Sequence, residues 1–536
     1  VSEAKMKMSF PKGNLTTLTS RLVVLCCVLV WSNVASFVAS ASASALIYPR
    51  WMWVGGLDSS SAVVKARLSG PLTSTNVTAV ADVEWRDSTG GTKHTERFKA
   101  SHVGEFHVAS IPLYSLPEDT DFTYSVMVID EDEGHTGSVP THALHGKFHT
   151  PKSAGTPMDF SFGFASCADN HSNAIIFDVI REHNPLFFMH MGDLHYGNVE
   201  QNDPALFHYM YDQVMASDRQ AHFFRDVPLS YMFDDHDFGP NNSDESSPGR
   251  ESSIAAYLEA VPFYPLPAYQ GISERIDQMK RLPSVYYGFT VGRVRFLVTD
   301  TSSSKRGEET ALGAEQLAWF LQALRQAASD PAVAQIVWVS TMPWVTIHDK
   351  WAVFHEDRRQ IVQTIDELGI RNRLVQLAGD AHMLALDDGT HVAGGFPVFQ
   401  AASLDAKPTC KGGPYSHGIY PGRGQYGWLQ VRDDGSKICL YFQGRRVNLK
   451  TGAEQTMLAF DTCDSSRNTP RHTYIPSPPW VERIWKDVKK KFIPPSYMVF
   501  FDSFTVSLYM VFVQYIIPSI AAIPACVFAI HMLRRP

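Results

Sequence analysis

Four apolar runs in this chain each end on a residue able to hold a cation. Leu186-Phe187-Phe188-Met189 reads as a buried strand; it stops at Gly192, and Asp193 follows at once. Three other runs end in the same way. FGFAS leads into Cys167, LSYMF into Asp234-Asp235-His236-Asp237, and RLVQLAG into Asp380-Ala381-His382. A carboxylate at the C-terminal end of a buried strand sits where open α/β sheets place ligands. Cys, Asp, Asn, Tyr and His delivered to several strand tips are the pattern expected if the tips converge on a metal centre.

The surrounding sequence supports that sheet. From Met158 strand-like and helix-like segments alternate: FSFGFAS, NAIIFDVIREH, LFFMHM, LSYMF, VRFLVTD, GAEQLAWFLQALRQA, QIVWVS, EDRRQIVQTIDEL and RLVQLAG. Such alternation argues for α/β layers in which helices bury a sheet. After Gly394 the chain is β-rich to about Asp464. Residues 46–150 differ in kind, being short runs rich in Val, Thr, Phe and Tyr between Gly, Pro, Ser and Asp turns. That is the pattern of a small β-sandwich, and Leu116-Pro117 followed by Thr120, Phe122 and Tyr124 resembles a fibronectin-like corner. No chemistry is visible there, so the region reads as a packing or presentation domain.

The ends read differently again. Lys12 and Arg21 precede LVVLCCVLVW, and small residues follow, which is a secretory signal expected to be cleaved near Ala45, with an uncleaved anchor as the alternative. The chain starts with Val, and translation is expected to begin at Met6 or Met8. Residues 465–497 are rich in Pro and charge and read as a juxtamembrane linker. Residues 498–536 hold an almost uncharged stretch from Ser503 to Met532, closed by Arg534-Arg535. This is long enough for a transmembrane helix, which needs about 20 residues; a GPI signal is the competing reading. The expected result is a single-pass protein of the secretory pathway with a lumenal or extracellular domain. The net charge of −8, spread along the chain, argues against a nucleic-acid partner.

Of the seven cysteines, Cys167, Cys410, Cys439 and Cys463 lie outside the signal and the tail. If Cys167 is a ligand, three remain, enough for one disulfide and one free thiol, with the pairing open. Asn76 is a plausible glycosylation acceptor. Asn170 and Asn241 match the same pattern but sit beside the proposed centre, where glycans are not expected.

The ligand chemistry can be read residue by residue. Asp193 could bridge two cations. Asp380 and His382 offer an oxygen and a nitrogen from one strand end, and their i, i+2 spacing points both side chains the same way. Asn241 offers a neutral carbonyl suited to a hard cation. Cys167 and Tyr196 offer thiolate and phenolate, which favour a more Lewis-acidic metal such as Fe(III) beside a hard divalent ion. Each alone has a plainer reading as a loop cap, a core histidine or a packed phenol. Their joint occurrence at four strand tips is what argues for a centre.

The series ASC, GDLHYG, DDHDFGPNN, VTDTSSSKRG, LGAEQLAWFLQAL and GDAH resembles the PhoD-like alkaline phosphatases of the calcineurin-like metallophosphoesterase superfamily, from Phe160 to about Phe399. The resemblance implies a four-layer αββα metallophosphatase sandwich over 151–464, preceded by the fibronectin/Ig-like β-sandwich. It implies an Fe(III) and Ca2+ centre, dinuclear or trinuclear, with other divalent metals admitted. Matched by motif, Cys167, Asp193, Tyr196 and His382 would hold iron. Asp193, Asn241 and Asp380 would hold calcium, Asp235 would be a further strand-end ligand, and His236 would contact phosphate. Two features depart from the family pattern. DDHDFGPNN leaves open whether Asn241 or Asn242 is the ligand, and TSSSKRGEE puts Lys305 or Arg306 where a substrate-binding arginine is expected. The implied activity is hydrolysis of phosphomonoesters or phosphodiesters, on a small molecule or a lipid, by a metal-bound hydroxide attacking phosphorus in line, with Asp193 and His236 as the catalytic pair. The alternative is a non-catalytic surface receptor or adhesion protein on the same fold. Arg358 and Arg359 read as a solvated helix face, whereas His348, Asp349 and Trp351 follow another strand and could line the pocket.

Overall fold

Three sheets carry the chain. In the first, ten strands run in the order Glu454–Asp461, Ile438–Val447, Gln425–Asp433, Phe160–Ala165, Phe188–His190, Leu229–Tyr231, Pro49–Gly55, Ala62–Leu68, Val108–Leu113 and His102–Val103. The second has seven strands, in the order Tyr287–Val291, Val294–Thr299, Gln335–Ser340, Leu374–Ala378, Val398–Ala401, Met383–Asp387 and Ile419–Pro421. The third has four, drawn from residues 77–150. The computed structural model describes residues 46–471, apart from 73–75, 88–90, 131–141, 272–278, 280, 347–349 and 410. The expected signal, most of the linker and the expected membrane segment lie outside the described residues, as do Cys410, His348 and Asp349. No helix among the described residues is long and apolar enough to cross a membrane.

The two large sheets face each other through aromatic side chains. Phe162 and Phe187 from the first meet Phe296 of the second edge to face, with ring centroids 5.4 and 5.5 Å apart. Phe399 stacks on Phe442 at 4.6 Å. All five rings are buried, and burying each contributes roughly 1.5–3 kcal/mol. Helices cover the outer faces. Phe223 of the helix Asp218–Asp226 packs on Phe188, and Phe224 of the same helix packs on Trp53. On the other side, the helix Gly313–Ser329 buries Leu317, Phe320, Leu321 and Leu324, a stripe at helical spacing, with Phe320 against Trp338. The helix His355–Leu368 buries Ile361 and Ile365 and ends on Gly369 at φ +64°, a left-handed cap that glycine adopts without strain.

Helices thus cover the outer faces of two facing sheets, the mixed α/β arrangement that the alternation of segments predicted. The N-terminal region adds something more. Its residues do form facing sheets, with Trp53, Val64 and Ile111 sharing a core with Val83, Phe122 and Phe148. Yet Pro49–Gly55 also pairs in parallel with Leu229–Tyr231 through Gly55 and Leu229, so one N-terminal sheet continues into the sheet that bears the candidate centre. A Cβ on Gly55 would come within 2.3 Å of Leu229 O, which is why a residue without a side chain stands at that junction. A disulfide joins Cys439 to Cys463 and ties down the sheet's far edge.

Candidate metal centre

Parallel pairing brings three of the tips side by side. Phe188–His190 pairs with Phe160–Ala165 on one flank and with Leu229–Tyr231 on the other. Their C-terminal ends therefore deliver Cys167, Asp193 and Asp234–His236 to one rim. Leu374–Ala378 delivers Asp380 and His382 from the facing sheet. Ser166 joins the two sheets, because its hydroxyl accepts from Asp380 N at 3.0 Å and lies 3.0 Å from Cys167 Sγ. The backbone at the rim is unusual. Cys167, Asp193, Asp380 and His382 all have φ between +50° and +66°, a region that costs a non-glycine residue energy and that clusters at functional sites.

Two groups of donors share Asp193. Atoms of Cys167, Asp193 and His382 all lie within 4.8 Å of one another, and so do atoms of Asp193, Asp235 and His236. Asp193 thus belongs to both groups. Cys167 Sγ lies 3.4 Å from Asp193 Oδ2, while Asp193 Oδ1 is buried with no hydrogen-bond partner among the described residues. Tyr196 joins the first group, its hydroxyl 3.1 Å from His382 Nε2. His382 Nδ1 lies against the carbonyl of Lys407, so the proton sits on Nδ1 and Nε2 presents its lone pair to the centre. Asn170 fixes the tyrosine: its Oδ1 accepts from Tyr196 N at 2.6 Å and its Nδ2 donates to Tyr196 O. In the second group, His236 Nδ1 lies 2.6 Å from Asn198 Oδ1, and Asp235 accepts from the Asn242 amide.

The electrostatics fit a cation-binding set. Burial, then the neighbouring Asp235 and Asp234, hold Asp193 well above the usual carboxylate range. Burial and Asp193 push the Cys167 thiol up; burial and Cys167 do the same to the Tyr196 phenol. Burial lowers His382 to about 4, helped by Lys411. Without a cation Asp193 and the Cys167 thiol favour their protonated forms and the His382 imidazole stays neutral. A cation would favour the deprotonated ligands by replacing those protons. The orphaned Asp193 oxygen and the mixed S, O and N donors thus fit a metal at the first group, and Asp193 with Asp235 fits a second, with His236 standing beside it.

Other residues singled out in the sequence fall elsewhere. Asp380 lies in neither group: Lys350 Nζ is 2.8 Å from one of its oxygens and Lys411 Nζ 2.6 Å from the other. Asn241 is exposed, and Asn242 reaches Asp235 through its backbone. Lys305 donates to Asn242 O at 3.2 Å, while Arg306 pairs with Glu309 at the surface, so of the two cations Lys305 is the one beside the centre. Asp300 caps its own turn, accepting from Ser302 N and Ser303 N. Arg359 pairs with Glu356 on the exposed helix face, and Arg358 lies over the Trp344 ring. Trp351 does not line a pocket: it is fully buried, and its indole donates to Ser340 Oγ. Sequence reasoning missed Ser166, Asn198, Lys350 and Lys411, and it placed Asp237 at a strand tip without a role of its own. Asp237 accepts from His195 N and Asp234 N, both at 3.0 Å, and so staples two of the tips together. A wide cleft of about 1520 Å³ opens near Phe160, Ser161 and Leu186, at the opposite ends of the strands, and none of the ligand residues lines it.

The chain resembles known proteins over part of its sequence and in its fold. Residues 162–400 match the family model described as PhoD-like phosphatase. The solved structure of PhoD superposes with a TM-score of 0.59 at 17% identity, covering 80% of this chain and 93% of that one. A purple acid phosphatase from yellow lupin (Lupinus luteus) seeds matches with a TM-score of 0.48 at 13% identity, covering 77% of this chain and 74% of that one. Among curated proteins no sequence matches this chain. The matched residues run from the strand that delivers Cys167 to the strand beside Asp380; residues 162–400 of this chain are similar to the PhoD-like phosphatases, a likeness that supports a phosphoric ester hydrolase.

Proposed function

We propose that this protein hydrolyses phosphomonoesters, phosphodiesters or both through a two-metal centre, and that it does so on the lumenal or extracellular side of a membrane. The observation that carries the first part is the pair of donor groups sharing Asp193. Cys167, Asp193, Tyr196 and His382 would hold a ferric ion, because thiolate, phenolate and imidazole suit that metal better than they suit calcium. Asp193 and Asp235 would hold the second cation, a calcium or another divalent ion, with His236 beside it for the substrate; Asn241 and Asp380 could join it only by moving. When bound, such cations acidify a water and neutralise charge at phosphorus.

The chain's own residues supply the rest. Asn198 fixes the His236 ring through Nδ1, which leaves its other nitrogen free to steady a phosphoryl oxygen or to deliver a proton to the leaving oxygen. Asn170 and Asp237 hold the Tyr196 and Asp234 backbones, which keeps the donors preorganised. The second part of the proposal draws on the hydrophobic stretch between Ser503 and Met532 and on the signal-like N-terminus. The Cys439–Cys463 disulfide agrees with an oxidising compartment.

The decisive variant is Asp193→Asn, which removes the shared charge from a carboxyl the fold already buries. Turnover of a phosphoester panel is expected to fall by about three orders of magnitude or more, with bound metal lost and the thermal unfolding transition still cooperative. Activity near that of the native protein, or native turnover that survives a chelator, would refute the proposal.

A further inference from the structure

Three ammonium groups gather at the acidic side of the centre, and hydrolysis as described above uses none of them. Lys350 and Lys411 grip the two oxygens of Asp380 at 2.8 and 2.6 Å. Lys305 reaches the Asn242 carbonyl, and the same residue's amide holds Asp235. Lys350 and Lys305 lie within electrostatic reach of each other and of Asp234 and Asp235; Lys411 also feels Lys350 and Asp235. The Lys350 side chain is 16% exposed and that of Lys411 27%, so both edge the open face of the centre and neither is sealed in the core.

An ammonium group has three N–H donors. Among the described residues, Lys411 spends one on Asp380 and Lys305 one on Asn242, while Lys350 lies in an ion pair with the other Asp380 oxygen. Several charged donors are therefore left over beside the donor groups that share Asp193. The Asp380 carboxylate fixes two of them in place, which reduces the entropy lost when they take a ligand.

We propose that Lys350, Lys411 and Lys305 form a phosphoryl clamp that selects a dianionic phosphomonoester over a phosphodiester. This rests on the hydrolase reading above and deepens it. A monoester presents a terminal phosphoryl group with three anionic oxygens and close to two negative charges at neutral pH. A diester has one charge, and a second ester group replaces one of those oxygens. Lysines act on phosphate as compact point charges, so their combined pull tracks the ligand's charge.

The test compares a monoester and a diester of the same p-nitrophenol leaving group on the metal-loaded full chain, with Lys350→Met, Lys411→Met and Lys411→Arg beside the native protein. Calorimetric binding of inorganic phosphate to the same proteins provides a readout independent of turnover. The native protein should prefer the monoester in kcat/KM. Each Met variant should lower the monoester-to-diester ratio by about tenfold or more and weaken phosphate binding by a similar factor. Lys411→Arg, which keeps the charge, should retain most of both. If a Met variant fails to fold, Lys305→Gln, which loses only a contact to a backbone carbonyl, is expected to move the ratio in the same direction. Equal losses on the two esters, or unchanged phosphate affinity, would overturn the clamp and leave the hydrolase reading intact. If the native protein turned over neither ester, the hydrolase reading would fall, and phosphate binding alone would decide the clamp.

Discussion

The His236 ring packs against Tyr196, with centroids 4.5 Å apart, and makes its side-chain hydrogen bond with Asn198. Asn198 Oδ1 meets its Nδ1 at 2.6 Å, and Asn198 Nδ2 reaches back to Tyr196 O at 3.0 Å. One amide thus couples the imidazole to the loop that carries the phenol. Asn198→Ala should lower kcat by about 10- to 100-fold, the usual cost of losing a group that orients a ligand or catalytic ring. KM should change much less, because the clamp lysines are untouched; steady-state kinetics on a monoester would separate the two. A fall in kcat of less than twofold would mean that the ring holds its position without Asn198. Cys167, Asp193 and His382 could be found in the sequence because each follows closely on an apolar run. Asn198 could not, since an asparagine after a glycine reads as an ordinary turn. Lys350 and Lys411 carried no signal either: they come from segments without periodicity and meet only because Asp380 draws both.

At the scale of elements, the strand tips set the site, and one glycine lets two of them approach. Gly192 has φ +85°, and a Cβ there would lie 2.4 Å from Asp234 Cβ and 2.6 Å from Asp234 N. Gly192→Ala must therefore push apart the tips that carry Asp193 and Asp235. The left-handed backbone and the clash together should cost roughly 2–4 kcal/mol. The variant should melt earlier in thermal unfolding and bind metal more weakly than native protein, while a transition within a degree of native would show that the tips need not touch. The strands themselves were readable as apolar runs, and so was the alternation with helices that gives two facing sheets. The junction at Gly55 and Leu229 was not, because parallel pairing between residues so far apart in sequence leaves no local pattern. Nor did the sequence indicate which pair of cysteines would meet; Cys439 and Cys463 do so because antiparallel strands bring them to one edge.

The whole molecule carries its acidic cluster as a stability cost that should appear when cations are removed. Burial and Asp235 push Asp234 up to about 8; burial pushes Asp237 up to about 7, and Asp193 is raised as well. A carboxyl whose folded value is raised binds more protons folded than unfolded, so stability falls as pH rises from the unfolded value, near 4, through the folded one. Buried histidines oppose this at lower pH. His190 and His195 are lowered to about 3 and His382 to about 4. Neutral in the fold, they add stability as pH rises from those values to about 6.5, the unfolded histidine value. The two trends compete below about pH 6.5, and only the carboxyl term remains between there and about 8. Lys65, lowered to about 8 by burial, begins to contribute only above that window. Chelated protein should therefore lose melting temperature steadily between about pH 6.5 and 8. Restoring cations should remove most of that slope, because the carboxylates would then be charged and compensated at every pH in the window. Melting curves of the chelated and reloaded protein across this range test the point directly. A flat profile in the chelated protein would mean that Lys305, Lys350 and Lys411 already neutralise the cluster, and that the fold does not need a cation to hold its acids together.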